Sequence, residues 1–288
     1  MSADLPADQK PDIKPPVPPQ PEIGGVDDLE ASRAPLLDHL KELRGRLIWS
    51  LIALIVATLG CFFIAEWLYN ILVQPLLNEA VVNRGQTEFE LIYTAPLEVF
   101  FVRLKLALFA GLFVAFPIIA WQLYAFVAPG LYKNERGAFT PFLIAAPLLF
   151  ALGALFVYGV MMPMVARFAL SFEQLGGDGL AAIVPQIKVS EYLSLIMALM
   201  IAFGLSFQLP VVLGLLAKAG LVGPTALRKG RKYALFGILC AAALFTPPDV
   251  VSQILLTVPV YGLYEISIWI VAMIERKAEA DEAEQTAQ

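Results

Sequence analysis

The amino-acid sequence predicts an all-α polytopic membrane protein of six transmembrane helices with both ends on the cytoplasmic side. Three observations predict it. Apolar residues make up 59% of the 288-residue chain and charged residues only 16%, with a mean hydropathy of +0.73. Soluble proteins carry about 25% charged residues, so long segments of this chain avoid water. The apolar residues gather in six runs separated by short charged connections, and Lys and Arg fall unevenly on the two sides those runs define.

Residues 1–30 hold seven prolines, seven acids and almost no large apolar side chain. Such a composition has nothing with which to form a core and reads as a disordered cytoplasmic tail. A basic segment leading into an apolar one is missing from the N-terminus, so the tail does not read as a cleavable signal peptide. From Leu36, apolar residues recur at 36, 37, 40, 43 and 47. That helical spacing predicts an amphipathic stub lying along the membrane surface.

The stretch His39-Leu40-Lys41-Glu42-Leu43-Arg44-Gly45-Arg46-Leu47 turns the chain from polar to apolar. From Leu47 to Leu68 the only charge is Glu66, and a helix of that length spans the roughly 30 Å apolar layer of a bilayer. Five more runs follow, at about Val99–Tyr124, Phe139–Phe168, Tyr192–Leu216, Tyr233–Phe245 and Val250–Ile274. With the connections assigned alternately, the side bearing both tails holds 15 of the 20 Lys and Arg residues. This asymmetry predicts an N-in, C-in arrangement. The chain thus divides into a tail (1–30), a six-helix membrane domain (31–275) and an acidic cytoplasmic tail (276–288).

The first external connection, about Tyr69 to Glu98, is long for a structureless loop. Its apolar pieces Ile71–Leu77 and Phe89–Tyr93 predict segments in the outer headgroup region that form a cap, joined by the connection containing Gly176-Gly177-Asp178-Gly179. Thr246-Pro247-Pro248-Asp249 is barely a turn. The fifth run, 13 residues, makes about 20 Å of helix and falls short of the apolar layer. The turn after it is therefore expected to lie below the outer surface or in a thinned bilayer, with Asp249 capping the sixth helix.

Prolines at 117, 141, 147, 163, 210 and 259 lie inside or at the edges of the runs. Interior ones bend a helix and free a carbonyl that neighbours must satisfy. Bent helices either shape the fold alone or build a concave, half-open bundle able to hold a peptide or a partner helix. Glu265, Gln208 and Gln253 are the polar groups expected within the apolar layer, where they join helices or serve function. Arg103 and Lys105 are expected to reach the outer headgroups or to pair with Glu98 or Glu90.

Cys61 and Cys240 sit in apolar runs and read as small hydrophobes. With a single histidine, His39, and no H-E-x-x-H, Walker A or G-x-G-x-x-G pattern, the sequence points to no catalytic residue, metal site, cofactor or nucleic-acid partner. An enzyme is disfavoured. At the inner face Glu42 and Glu135 are unexpected on a basic side; they read either as ordinary solvated surface carboxylates or as a pair suited to bidentate hydrogen bonds from guanidinium groups.

Four stretches carry a family resemblance: His39–Arg46, Phe126-Val127-Ala128-Pro129-Gly130-Leu131-Tyr132-Lys133-Asn134-Glu135-Arg136, Ala202–Pro210 and Thr246–Gln253. In this order over six runs the chain resembles TatC, the multi-spanning core of the twin-arginine protein translocase. The resemblance implies that Glu42 and Glu135 read the paired arginines of signal peptides, with Arg44, Phe126, Tyr132, Lys133 and Arg136 shaping that surface. It also implies roles for Pro75 in the outer cap, for Gln208, and for Thr246, Asp249 and Gln253 around the last turn. It implies TatB-like and TatA-like single-span partners, self-association in a larger complex, the protonmotive force as driver and a place in the cell inner membrane. Several family members carry a glutamate where Gln208 stands, so a mechanism that needs that group to titrate does not transfer. The alternatives are a small-solute or ion transporter using Asp249 and Glu265, and a noncatalytic membrane scaffold.

Overall fold

The computed structural model describes residues 27–84, 90–131, 140–174, 186–245 and 250–286. Among them the elements are α1 (Asp27–Phe62), α2 (Ala65–Arg84), α3 (Glu98–Leu131), α4 (Thr140–Phe156), a π-helical turn (Val157–Met161), α5 (Met162–Leu170), α6 (Val189–Ser206), α7 (Leu209–Lys218), α8 (Pro224–Phe245) and α9 (Val250–Thr286). The chain forms two units, Met1–Leu43 and Arg44–Gln288. The described part of the first lies wholly in α1, which begins at Asp27, inside the stretch read as tail. Everything below on packing concerns the second unit.

Five described segments are long and apolar enough to cross a membrane: Leu40–Phe62, Glu98–Phe126, Pro141–Leu170, Val189–Lys218 and Gln253–Ala280. The protein is therefore an all-α polytopic membrane protein. Helix α8 is not among the five. It is longer than the apolar run within it, because its first turns carry Arg228, Lys229, Arg231 and Lys232 ahead of Tyr233.

The first run ends earlier than the sequence predicts. The helix breaks at Phe63–Ile64, and Glu66 opens α2 rather than closing a span. The third and fourth runs are each interrupted. The π-helical turn separates α4 from α5, whose first turn contains Pro163. Phe207–Gln208 separates α6 from α7, whose first turn contains Pro210. Proline is tolerated in a first turn because its missing N–H would have no partner there anyway.

The core is built around α6. Over its most apolar stretch, the α6–α7 span buries 56% of its residues against 6% for the α1 span. Leu193, Ile196, Leu199 and Phe203 of α6 are almost wholly buried with Leu76 of α2, Leu106 of α3 and Val157 and Met161 of the π-helical turn. Helices α4 and α6 cross closely where glycines face the opposite helix. A Cβ on Gly153 would stand 2.7 Å from the Phe203 carbonyl oxygen, and one on Gly204 would meet the Phe150 ring at 2.6 Å.

Helix α2 contains Pro75, whose ring nitrogen cannot donate to the carbonyl of Ile71 one turn earlier. That carbonyl instead accepts from the Tyr158 hydroxyl at 3.1 Å, and the next one, Leu72, accepts from Tyr192 at 3.0 Å. Two ion pairs hold the same helix: Glu79 with Arg167 of α5 at 2.7 Å, and Glu66 with Arg103 of α3 at 3.3 Å. Arg103 thus pairs with Glu66, not with Glu98 or Glu90. Glu98 accepts from the Thr94 and Ala95 amides and from the Ser190 hydroxyl at the start of α6.

Beside it, the Ile92 amide donates to the Ile187 carbonyl at 3.1 Å, and the Val189 amide returns a bond to Ile92 at 3.0 Å. The two connections expected to share a cap are tied together at this point. Gly176–Gly179, named for the same cap, lies outside the described residues. Cys61 is buried and Cys240 exposed, both as free thiols.

Candidate functional site

Helix α1 carries the polar-to-apolar switch. Glu42 and Arg44 are both exposed on it, Glu42 in the first unit and Arg44 in the second. Within the second unit Arg46 Nη1 donates to Gln122 Oε1 of α3 at 3.3 Å. Gln122 lies one helical turn before Phe126, which is half-buried near the end of α3. The bond therefore brings the start of the first span to the end of the second. Sequence reading passed over Gln122, whose only signal was an uncharged polar residue in the last turns of an apolar run. Of the other residues assigned to this surface, Tyr132, Lys133, Glu135 and Arg136 lie outside the described residues, as do Thr246 and Asp249 near the last turn.

The second group of polar side chains lies within the bundle. Gln208 sits at the break between α6 and α7, where its Nε2 donates to the Ala146 carbonyl of α4 at 2.9 Å. Its Oε1 is buried and accepts from no donor among the described residues. The break in the fourth span is thereby pinned to the third. Gln253 Nε2 donates to the Leu239 carbonyl, joining α9 to α8 at 3.2 Å.

Glu265 is turned toward protein. It meets Arg231 of α8 at 2.7 Å and accepts from the Tyr261 hydroxyl of its own helix at 2.9 Å. Tyr264 adds a bond to the Leu227 carbonyl of α8 at 2.8 Å. The pairing of Glu265 was open at the level of sequence, yet a signal for it exists. Arg231 precedes Thr246 by 15 residues and Glu265 follows Asp249 by 16. Two antiparallel helices joined at that turn bring such positions to one level.

The tertiary structure thus places Gln253 and Glu265 on one α8–α9 interface and Gln208 on a separate one with α4. No group of three or more His, Cys, Asp or Glu side chains able to hold a metal occurs among the described residues. The geometry offers helix-joining hydrogen bonds and an exposed charged stretch on α1.

Residues 38–259 match the family described as TatC, Sec-independent protein translocase protein. Among curated relatives, the chain is 41% identical to the Sec-independent protein translocase protein TatC of Magnetococcus marinus over 89% of this chain and 90% of that one. It is 39% identical to the Aquifex aeolicus protein of the same name, over 84% of this chain and 97% of that one. It is 38% identical to the Escherichia coli one, over 82% and 87%. A crystal structure of the twin arginine translocase receptor TatC superposes with a TM-score of 0.71 at 38% identity, covering 82% of this chain and 99% of that one.

Proposed function

The chain belongs to the TatC family, and on that premise we propose that it is the core subunit of a twin-arginine translocase. It recognises the paired arginines of signal peptides at the cytoplasmic face and organises the export of folded proteins. The observation that carries this reading is the extent of the likeness to a solved translocase receptor, which leaves almost none of that receptor unmatched.

In this reading α8 is the short fifth of six spans, both termini are cytoplasmic, and the segments around α2 and Ile92 form the outer cap. Glu42 and Glu135 receive the two signal-peptide arginines, and Arg44, Phe126, Tyr132, Lys133 and Arg136 shape the surface around them. Two adjacent guanidinium groups repel each other and need separate counter-charges. At a partly dehydrated boundary, bidentate charge-assisted hydrogen bonds favour arginine over lysine, whose ammonium cannot form the fork. The Arg46–Gln122 bond supports this reading by tying α1 to the helix that leads toward Glu135. TatB-like and TatA-like single-span proteins are the partners, and the polar residues Gln208, Asp249 and Gln253 offer them intramembrane contacts.

The test is export of a folded reporter in cells that lack their own TatC. The chain restores export, and the Glu42→Gln, Glu135→Gln double variant loses it together with cross-linking to an Arg-Arg signal peptide. Unchanged cross-linking in the double variant, or equal capture of Arg-Arg and Lys-Lys peptides by the unaltered chain, overturns the assignment.

A further inference from the structure

Helices α8 and α9 pack antiparallel in a register set by three contacts: Leu239 with Gln253, Arg231 with Glu265 and Leu227 with Tyr264. That register sets Arg228, Lys229, Arg231 and Lys232 beside the middle of the apolar run Val250–Ile274 of α9. After Glu265, α9 continues through the uncharged stretch Ile266–Ile274 before reaching Glu275, about 13 Å of further helix. Helix α7 packs along this same stretch, with Gly214 facing Ile270 and Ile274. The cations of α8 therefore stand beside neighbours that are still apolar.

Glu265 answers Arg231. Lys229 and Lys232 are exposed on the opposite side of α8 and have no ion-pair partner among the described residues. They share that side with Phe236, which is 69% exposed. An ammonium at this depth is costly unless an anion or water reaches it. The apolar part of α8, Tyr233–Phe245, makes only about 20 Å of helix, and α9 outruns it at the end that carries the lysines, so thinning on this side, rather than a sunken outer turn, makes up the shortfall. A thinned leaflet brings lipid phosphates, opposite in charge, down to the level of the two lysines.

We propose that Lys229 and Lys232, with Arg228 beside them, bind the phosphodiester headgroup of an anionic phospholipid, seated against α8 below the level at which α9 leaves the membrane. A zwitterionic headgroup carries its own ammonium next to the phosphate, so the site prefers phosphatidylglycerol to phosphatidylcholine. This inference rests on α9 crossing the membrane beside α8 and not on signal-peptide recognition.

The test is native mass spectrometry of the purified full chain from micelles holding equal amounts of phosphatidylglycerol and phosphatidylcholine. The unaltered chain retains phosphatidylglycerol preferentially, and the preference falls about fivefold for each lysine removed in Lys229→Gln, Lys232→Gln. The Lys229→Arg, Lys232→Arg variant keeps it, which separates loss of charge from loss of fold. Arg276→Gln, Lys277→Gln, at the far end of the α9 span, also keeps it.

An undiminished preference in the Gln variant overturns the proposal, as does loss of preference in the Arg276 and Lys277 variant. Displacement of the lipid by inorganic phosphate overturns the lipid as the source of the anion. Loss of a copurifying protein partner with lipid retention unchanged assigns the lysines to that partner instead. Because no cargo is present, failure here is distinct from failure of the signal-peptide reading, which cross-linking measures.

Discussion

The Tyr158 hydroxyl donates to the Ile71 carbonyl at 3.1 Å, the carbonyl that Pro75 deprives of its helical donor. A residue in the π-helical turn thus completes a helix far away in the chain. Tyr158→Phe is expected to lower stability by about 1 kcal/mol. In a Pro75→Ala background, where residue 75 regains an amide, the same change costs less. Thermal unfolding of the four proteins in detergent checks this, and equal costs in both backgrounds contradict it.

Helices α1 and α3 meet at Thr58 and Gly111. A Cβ on Gly111 would lie 2.8 Å from the Thr58 backbone nitrogen and Cα, which no side-chain adjustment relieves. Gly111→Ala is expected to destabilise the protein by about 1 to 3 kcal/mol through overpacking. Gly60→Ala, on α1 with nothing within 4 Å of its added Cβ, leaves the unfolding temperature unchanged or raises it.

Glu79 and Arg167 form an unequal pair. The Glu79 side chain is 9% exposed and that of Arg167 is 65% exposed. Removing the cation takes a charge-assisted hydrogen bond from a buried carboxylate, whereas neutralising the acid leaves a cation that water already reaches. Arg167→Ala is expected to cost about 1 to 3 kcal/mol and Glu79→Gln less. Chemical denaturation of both variants measures the difference, and the reverse order refutes the argument.

Gln253→Leu removes the bond from α9 to the Leu239 carbonyl, a loss of about 0.6 to 2 kcal/mol. If Gln253 also contacts a partner helix, as proposed, recovery of a single-span TatB-like partner falls by more than the amount of folded protein does. Copurification normalised to folded protein reads this directly. Equal normalised recovery removes the contact.

Much of the architecture was legible in the chain because water imposes it. Apolar runs long enough to cross a bilayer appear in the sequence whatever they pack against, and the structure keeps five of them as membrane-length segments. Their interruptions were only half legible. Pro163 and Pro210 mark the breaks after Met161 and Gln208, but the end of α1 at Phe62 has no such mark. The two acids of the proposed recognition surface were visible as charges out of place on a basic side.

Most partners of the polar groups were not visible, because they lie on other helices; only the common level of Arg231 and Glu265 could be read, from their nearly equal spacing to the shared turn. Glu66 with Arg103, Glu79 with Arg167, Glu265 with Arg231 and Gln208 with the Ala146 carbonyl are pairings across helices. A periodic pattern states which face of a helix avoids water. It does not state which neighbour meets that face, or at what height.

By itself, then, the sequence determined that this chain enters the membrane repeatedly, and its motifs pointed to the family it belongs to. The tertiary structure decided that α6 is the centre and α1 lies at the edge, and that Tyr158 completes the turn broken by Pro75. It also decided that the cations of α8 stand level with the middle of α9. The reason is physical: hydrophobicity is a property of each segment alone, whereas register and depth exist only between segments once they pack.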